Sequence, residues 1–199
     1  QGTQGGLRLS YATLGAFTKY PKESLPVKPT PHIASKKYGF FQTEKTNFLD
    51  VADELGLHKL SPDNAQYSRH PLAFLVEAAD DICYTIIDFE DGINLGLIEE
   101  DYALEYLINL VRGTINTEKY SALPSTKERV SYLRALAIST LIEDAVSIFM
   151  AHEKEILDGK FQVSILDKSK YQAQINDIIK LSVEKIYNSE EVIDKEISG

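Results

Sequence analysis

The longest uninterrupted helical pattern in the chain, residues 72–95, most constrains how this sequence can fold. Between residues 72 and 91 it contains neither Pro nor Gly, and its apolar side chains recur at spacings of three and four. These apolar residues are Ile82, Ile86, Phe89 and Ile93. Pro71 stands before the run, where Pro is tolerated because first-turn N–H groups have no helical partner. The pattern predicts an amphipathic helix from Leu72 to about Leu95 with one face in a core.

Similar periodicity in the rest of the chain predicts six further helices, several of them followed by a glycine or proline at a typical stop position. The predicted segments are residues 7–19, 43–57, 99–114, 126–157, 168–187 and 190–197. The run from Lys160 to Leu166 alternates in a strand-like way, but it is short and isolated. No repeat or linker divides the chain. The sequence therefore predicts an all-α, multi-helix bundle that forms a single helical unit over residues 1–199.

The composition narrows the class of protein. With 199 residues, 43% of them hydrophobic, the chain can bury a sizeable core. The net charge of −9 argues against broad electrostatic attraction to nucleic acid or to an anionic membrane. No apolar run approaches the roughly 20 residues of a membrane-spanning helix. The single cysteine, Cys83, excludes an intramolecular disulfide and is typical of a reducing compartment, so we expect a cytoplasmic protein without a membrane partner.

Acidic residues converge on one arc of the 72–95 helix. At about 100° per residue, and with Asp80 at zero, five polar positions fall between about 20° and 100°. They are Asp91, Tyr84, Glu77, Asp88 and Asp81. Like charges three or four residues apart repel one another. Two interpretations stay open: a solvated acidic face, or a face that binds a hard divalent cation, which prefers carboxylate oxygens and bridges to phosphate.

Several other residues are candidates for chemistry or for packing. None of the four histidines is followed by Asp, and His70, directly before Pro71, is expected to pack or hydrogen-bond rather than to bind metal. Cys83 lies between apolar neighbours on the helix and is expected to be a small core residue. Arg69 and Arg134 suit either a phosphate or an internal ion pair, and the sequence does not separate these roles.

The sequence of residues 69–82, RHPLAFLVEAADDI, followed by Tyr84, Asp88 and Glu90-Asp91, resembles the signature of bacterial dGTPase-like triphosphohydrolases of the HD-domain superfamily. Further stretches resemble the same family, so that the resemblance covers essentially the whole chain. These stretches are residues 7–14, 19–21, 37–41, 134–138 and 187–192. The resemblance implies a partial HD-domain-like bundle and an internal or C-terminal piece of such an enzyme.

The resemblance also implies roles for individual residues. The metal site of this family combines a His, an adjacent His-Asp pair and a distant Asp, and Asp80 matches the distant Asp. Tyr84 and Asp88 match positions that pack on and hydrogen-bond the deoxyribose. Lys37 matches a lysine that contacts the triphosphate, with Lys36 as its rival. We expect the other metal ligands and the catalytic histidine to precede Gln1, and the fragment alone to be inactive.

The activity that this resemblance implies is hydrolysis of a deoxynucleoside triphosphate, of the dGTP type, to deoxynucleoside and tripolyphosphate with Mg or Mn as the divalent metal. Members of the resembled family commonly form homo-oligomers, and some respond to single-stranded DNA. Two alternatives remain: another HD-type nucleotide phosphohydrolase or phosphodiesterase, and a non-catalytic helical regulatory module. The Tyr84 and Asp88 pair argues against the first alternative.

Overall fold

The computed structural model describes residues 7–25 and 28–188, and within these ranges every regular element is a helix. The α-helices are α1 (Tyr11–Phe17), α2 (Lys45–Glu54), α3 (Pro71–Asn94), α4 (Glu100–Val111), α5 (Thr117–Ser121), α6 (Thr126–Ala151), α7 (Glu153–Leu157) and α8 (Gln172–Ser182). Three short 3-10 turns and one π-helical turn, Val183–Tyr187, complete the set. The described residues form isolated β-bridges but no strand, and the run 160–166, which alternates in a strand-like way, is not a strand. The all-α prediction is confirmed.

The ends of the predicted helices agree with the structure to within a few residues in most cases. Gly56, Gly96 and Gly159 have positive φ angles of 61°, 72° and 68°, a conformation that glycine adopts without the steric cost of a Cβ, and they follow α2, α3 and α7. The helix predicted over residues 126–157 is interrupted at His152, which separates α6 from α7. The short helix α5 was not predicted. The helix predicted over residues 190–197 lies outside the described residues.

The chain divides into two compact units. The first contains residues 1–78 and 149–165, and the second contains residues 79–148 and 166–199. The unit boundary lies within α3, between Ala78 and Ala79. The expectation of a single helical unit stays a prediction.

The first unit has an aromatic core. Phe40 stacks on Phe48 with ring centroids 4.2 Å apart, and Ala52 and Ala65 complete this cluster. Phe74, in the first turn of α3, meets the edge of Phe161 at 5.4 Å. The start of α3 is thereby anchored in apolar packing within this unit.

The second unit buries the apolar face of α3. Ile82, Ile86, Phe89 and Ile93, the four residues that the periodicity places on one side, are at most 5% exposed. Phe89 also contacts the ring of Tyr106 on α4, and α4 packs against α8. The predicted amphipathic character of α3 is therefore confirmed. None of the helices in the described ranges combines the length and the hydropathy that a membrane-spanning segment requires.

Candidate functional site

Three polar side chains lie along one face of α3 at intervals of four residues. Asp80 is exposed, Tyr84 is 48% exposed and Asp88 is half-buried. Because residues four apart are neighbours on a helix, these side chains form a single row. All three belong to the second unit. Their accessibility contrasts with the buried apolar face of the same helix, so the row offers two carboxylates and a phenol to a ligand.

The Asp80 carboxylate is suited to be one oxygen ligand of a divalent cation. Among the described residues of its own unit it has no hydrogen-bond or ion-pair partner, so both of its oxygens are accessible. Carboxylate oxygens are the ligands that Mg²⁺ and similar hard cations prefer. Within residues 7–25 and 28–188, no three His, Cys, Asp or Glu side chains are grouped as a metal site. Asp80 fits the role of a single ligand, and its metal binding stays a prediction.

Tyr187 joins the other two members of the row. Its hydroxyl donates a short hydrogen bond to Oδ2 of Asp88. Its ring stacks on Tyr84, with centroids 5.7 Å apart and an angle of 6° between the ring planes. Burial and the hydrogen bond to Asp88 raise the pKa of Tyr187 well above that of a free tyrosine, so it remains a donor at physiological pH. One side chain therefore contacts both residues that the resemblance assigns to a sugar.

The position of Tyr187 depends on a close approach of backbone to side chain at Gly92. Residues 183–187 form a π-helical turn, in which the N–H of Asn188 donates to the carbonyl of Val183 at 3.1 Å. A Cβ on Gly92 would lie 2.5 Å from Cδ1 of Ile186, closer than any ordinary contact. Glycine at position 92 lets the π-helical turn pack directly on α3, one turn beyond Asp88. Such turns are frequent at functional sites because they redirect side chains.

The sequence pattern offered no sign of the role of Tyr187. Tyr187 ends a predicted helix and begins the stretch 187–192 that resembles the family, but neither observation assigns it a role, and 99 residues separate it from Asp88. No periodicity connects positions so far apart. Only the packing of the π-helical turn on α3 shows the contact.

Glu77 differs from the other acidic residues of the arc, since two cations of its own unit neutralise it. Arg69 donates to both carboxylate oxygens, at 2.6 and 3.3 Å, and Lys19 Nζ lies 3.1 Å from Oε1. Glu77 is 7% exposed and Arg69 is 3% exposed. The interpretation that the whole acidic arc faces a metal or water is therefore wrong for Glu77. The physical reason is that Arg69 lies before the helix, outside the wheel that defined the arc.

The guanidinium of Arg69 is engaged by groups of the protein itself rather than available to a phosphate. Besides Glu77, its guanidinium donates to the carbonyls of Lys19 at 2.8 Å and Ile33 at 3.3 Å. It also packs between the rings of Tyr20 and Phe74. Arg134 donates to Glu90 at 2.7 Å within the second unit, which gives it a structural partner as well.

The predicted phosphate-binding lysine, Lys37, lies in the first unit on an exposed loop. Lys36 beside it is exposed too, and Lys37 Nζ lies 6.0 Å from the ring centroid of Tyr20. Gly39 positions this loop: its N–H donates to the carbonyl of Lys22, and a Cβ there would lie 1.8 Å from the carbonyl oxygen of Tyr20. Lys37 is thus accessible to an anion, and its contact with a triphosphate stays a prediction.

Two further expectations have clear outcomes. His70 is a hydrogen-bonding residue, as expected: its Nδ1 accepts from the N–H of Leu72 at 3.2 Å, in the first turn of α3. Cys83 is exposed, so its prediction as a core residue is wrong. The buried face of α3 is narrow, and Cys83 lies on its flank, where the helix already turns toward solvent.

An all-α chain with an accessible Asp, Tyr and Asp in a row agrees with the dGTPase-like class that the motif indicates, and comparison with known proteins supports this class. The chain is 38% identical over 199 residues to a deoxyguanosinetriphosphate triphosphohydrolase-like protein of Synechocystis. The alignment covers 98% of this chain and 44% of that protein. It is 34% identical over 166 residues to a protein of the same name from Pseudomonas aeruginosa, and this alignment covers 82% of this chain and 37% of that protein.

A relative from Yersinia pestis, named deoxyguanosinetriphosphate triphosphohydrolase, is 25% identical over 212 residues, which cover 97% of this chain and 40% of that protein. No protein-family model matches the chain. The chain spans less than half the length of these curated relatives. The resemblance to dGTPase-like triphosphohydrolases is confirmed, since the similarity extends over nearly the whole chain.

Proposed function

We propose that this chain is the part of a metal-dependent deoxynucleoside triphosphate triphosphohydrolase that supplies one metal ligand and the sugar-facing wall of the substrate site. The observation that carries the proposal is the row of Asp80, Tyr84 and Asp88 on the accessible face of α3. The names of the relatives support hydrolysis of a nucleoside triphosphate of the dGTP type.

Each residue of the row has a distinct role in the proposal. When bound, a divalent metal supplies positive charge that stabilises the charge developing on the α-phosphate. Asp80 would hold it with one carboxylate oxygen. Tyr84 would pack its half-exposed ring on the deoxyribose. Asp88 would accept a hydrogen bond from the 3′-hydroxyl, the free hydroxyl of the sugar.

Lys37 would neutralise part of the triphosphate charge. A triphosphate approaching an acidic surface is repelled unless cations compensate for its charge. An ammonium group on a flexible side chain is suited to this task because it pairs with phosphate oxygens without demanding one geometry. In the proposed reaction water attacks the α-phosphorus, the bond from phosphorus to the 5′-oxygen breaks, and deoxynucleoside and tripolyphosphate are released.

The central test is the variant Asp80→Ala in the whole protein, with dGTP and Mg or Mn. We expect metal-dependent turnover to fall to background, because a side chain that would bind the metal directly is lost. The matched control is Glu105→Ala, which removes an exposed carboxylate from α4 in the same unit. Unchanged turnover of Asp80→Ala would refute the proposal.

The products distinguish the proposal from another HD-type phosphohydrolase. Tripolyphosphate with an unphosphorylated deoxynucleoside is the expected pair. Release of pyrophosphate or of a nucleoside monophosphate would instead show that a different bond is broken. The same assay applied to the 199-residue chain alone should give no turnover, since Asp80 is the one metal ligand assigned to it.

Other expectations from the resemblance stay predictions. They are assembly into a homo-oligomer, a response to single-stranded DNA, and a cytoplasmic location. Gel filtration with light scattering tests the first of them, and activity with added oligonucleotide tests the second.

A further inference from the structure

We infer that Tyr187 is a positioning residue for the sugar: it holds the Asp88 carboxylate and the Tyr84 ring in the arrangement that receives the deoxyribose. The inference rests on the proposed function, which assigns Tyr84 and Asp88 to the sugar. It adds a residue from the π-helical turn 183–187, which lies outside the α3 row.

The hydrogen bond from Tyr187 fixes the direction of the Asp88 carboxylate. A half-buried Asp side chain on a helix can rotate about two bonds, and each rotation points its oxygens elsewhere. Of the two carboxylate oxygens of Asp88, the Tyr187 hydroxyl contacts Oδ2. A carboxylate has about four acceptor sites on its two oxygens, so this bond leaves acceptor sites free for a sugar hydroxyl.

The ring of Tyr187 also fixes the orientation of the Tyr84 ring. The two rings are nearly parallel, so Tyr84 is supported on one face. Stacked aromatic pairs of this kind contribute about 0.5–1.5 kcal/mol beyond their buried area. Tyr84 is nevertheless 48% exposed, and the proposal assigns the ring face that Tyr187 does not cover to the sugar.

Packing also holds the π-helical turn against α3. Ile186 lies against Gly92, where a Cβ would approach its Cδ1 to 2.5 Å. This contact prevents the π-helical turn from being displaced along α3 without a rearrangement of Ile186. Tyr187, the next residue, therefore reaches the row from a fixed point, which is the kind of support that a precise binding site requires.

The test uses Tyr187→Phe in the whole protein, which keeps the stacked ring and removes only the hydroxyl. Two substrates are compared: dGTP and its 2′,3′-dideoxy analogue, which lacks the hydroxyl that Asp88 would bind. We expect KM for dGTP to rise about tenfold, as for the loss of one net hydrogen bond. KM for the dideoxy analogue should change less than about twofold, because it makes no bond to Asp88 in either protein.

A double-mutant cycle separates positioning from general destabilisation. In the Asp88→Ala background, Tyr187→Phe should change KM for dGTP less than about twofold, since the carboxylate that Tyr187 orients is gone and no acceptor replaces it. Tyr106→Phe is the matched control: it removes a hydroxyl that is hydrogen-bonded to Tyr102 in the same unit, and it should leave both KM values unchanged.

An equal rise in KM for both substrates, or no rise for dGTP, overturns the role of Tyr187. Additive effects of Tyr187→Phe and Asp88→Ala overturn it as well. Asp80→Ala is assayed in parallel. If Asp80→Ala retains metal-dependent turnover, the proposed function itself fails; if it loses turnover while Tyr187→Phe behaves like wild type, only the inference fails.

Discussion

Arg69 and Glu77 form a buried ion pair with two hydrogen bonds, Nη1 to Oε2 at 2.6 Å and Nη2 to Oε1 at 3.3 Å. The pair connects the segment before α3 to the second turn of the helix. Because both side chains are almost completely buried, the pairing satisfies two charges that could not remain in this environment alone. It also explains why one acidic residue of α3 is unavailable to a ligand.

Removing Arg69 should destabilise the protein strongly. We expect Arg69→Ala to lower the free energy of unfolding by about 3–5 kcal/mol, since the buried Glu77 carboxylate loses its main partner. Lys19→Met should cost less than about 1 kcal/mol, because Lys19 is 35% exposed and its attraction to Glu77 is screened by water. Urea unfolding measures both. A loss below about 1 kcal/mol for Arg69→Ala would contradict the importance of the pair.

A side chain at position 92 should disturb the π-helical turn. We expect Gly92→Ala to lower the free energy of unfolding. Overpacking costs about 1–3 kcal/mol, whereas the higher helix propensity of Ala stabilises the helix by only about 1 kcal/mol. Ile186→Ala in the same protein should remove the clash, so that the double variant is more stable than the sum of the single effects predicts. Thermal unfolding gives these values. Gly113→Ala is the control, because a Cβ there meets nothing within 4 Å; an equal loss in both variants would argue against the clash.

Substrate affinity should distinguish Lys37 from Lys36. In the whole protein we expect Lys37→Ala to raise KM for dGTP about tenfold, the effect of losing a charged hydrogen bond to phosphate, with kcat reduced less. Lys36→Ala should stay within about twofold of wild type, since an exposed lysine that has no partner among the described residues contributes little. The two variants carry the same change in net charge. Steady-state kinetics at constant salt therefore compares position alone, and the reverse order of effects would assign the role to Lys36.

Acidification should destabilise the first unit through two histidines. Burial lowers the pKa of His70, and burial followed by the nearby Arg69 lowers that of His32. Each Nδ1 accepts a backbone hydrogen bond, from Leu72 at 3.2 Å and from Ala34 at 3.1 Å, which protonation would break. Because both folded-state pKa values lie below the unfolded value of about 6.5, this stability is complete above about pH 6.5 and is lost as pH falls through the folded values.

The double variant His32→Asn with His70→Asn checks this pH dependence. Asn keeps an acceptor oxygen but does not titrate, so the free energy of unfolding should vary less between pH 7.5 and 5 than in wild type. The comparison uses urea unfolding at each pH. A pH dependence as steep as that of wild type would show that other groups cause it.

Much of the fold and part of the candidate site could be predicted from the sequence because the relevant patterns are local. The spacing of Ile82, Ile86 and Phe89 predicts which face of α3 is buried, since a helix repeats every 3.6 residues whatever surrounds it. The same rule places Asp80, Tyr84 and Asp88 in one row. Gly56 and Gly159 indicate helix ends because glycine, which lacks a Cβ, adopts positive φ angles at little cost.

What the sequence alone determined is therefore the helical class of the chain and the composition of each face of α3. The tertiary structure decided which of those residues are engaged. It pairs Glu77 with Arg69, leaves Cys83 exposed, and brings Tyr187 to Asp88 across 99 residues of chain. These outcomes depend on how helices and turns pack, and packing joins residues that no sequence period relates.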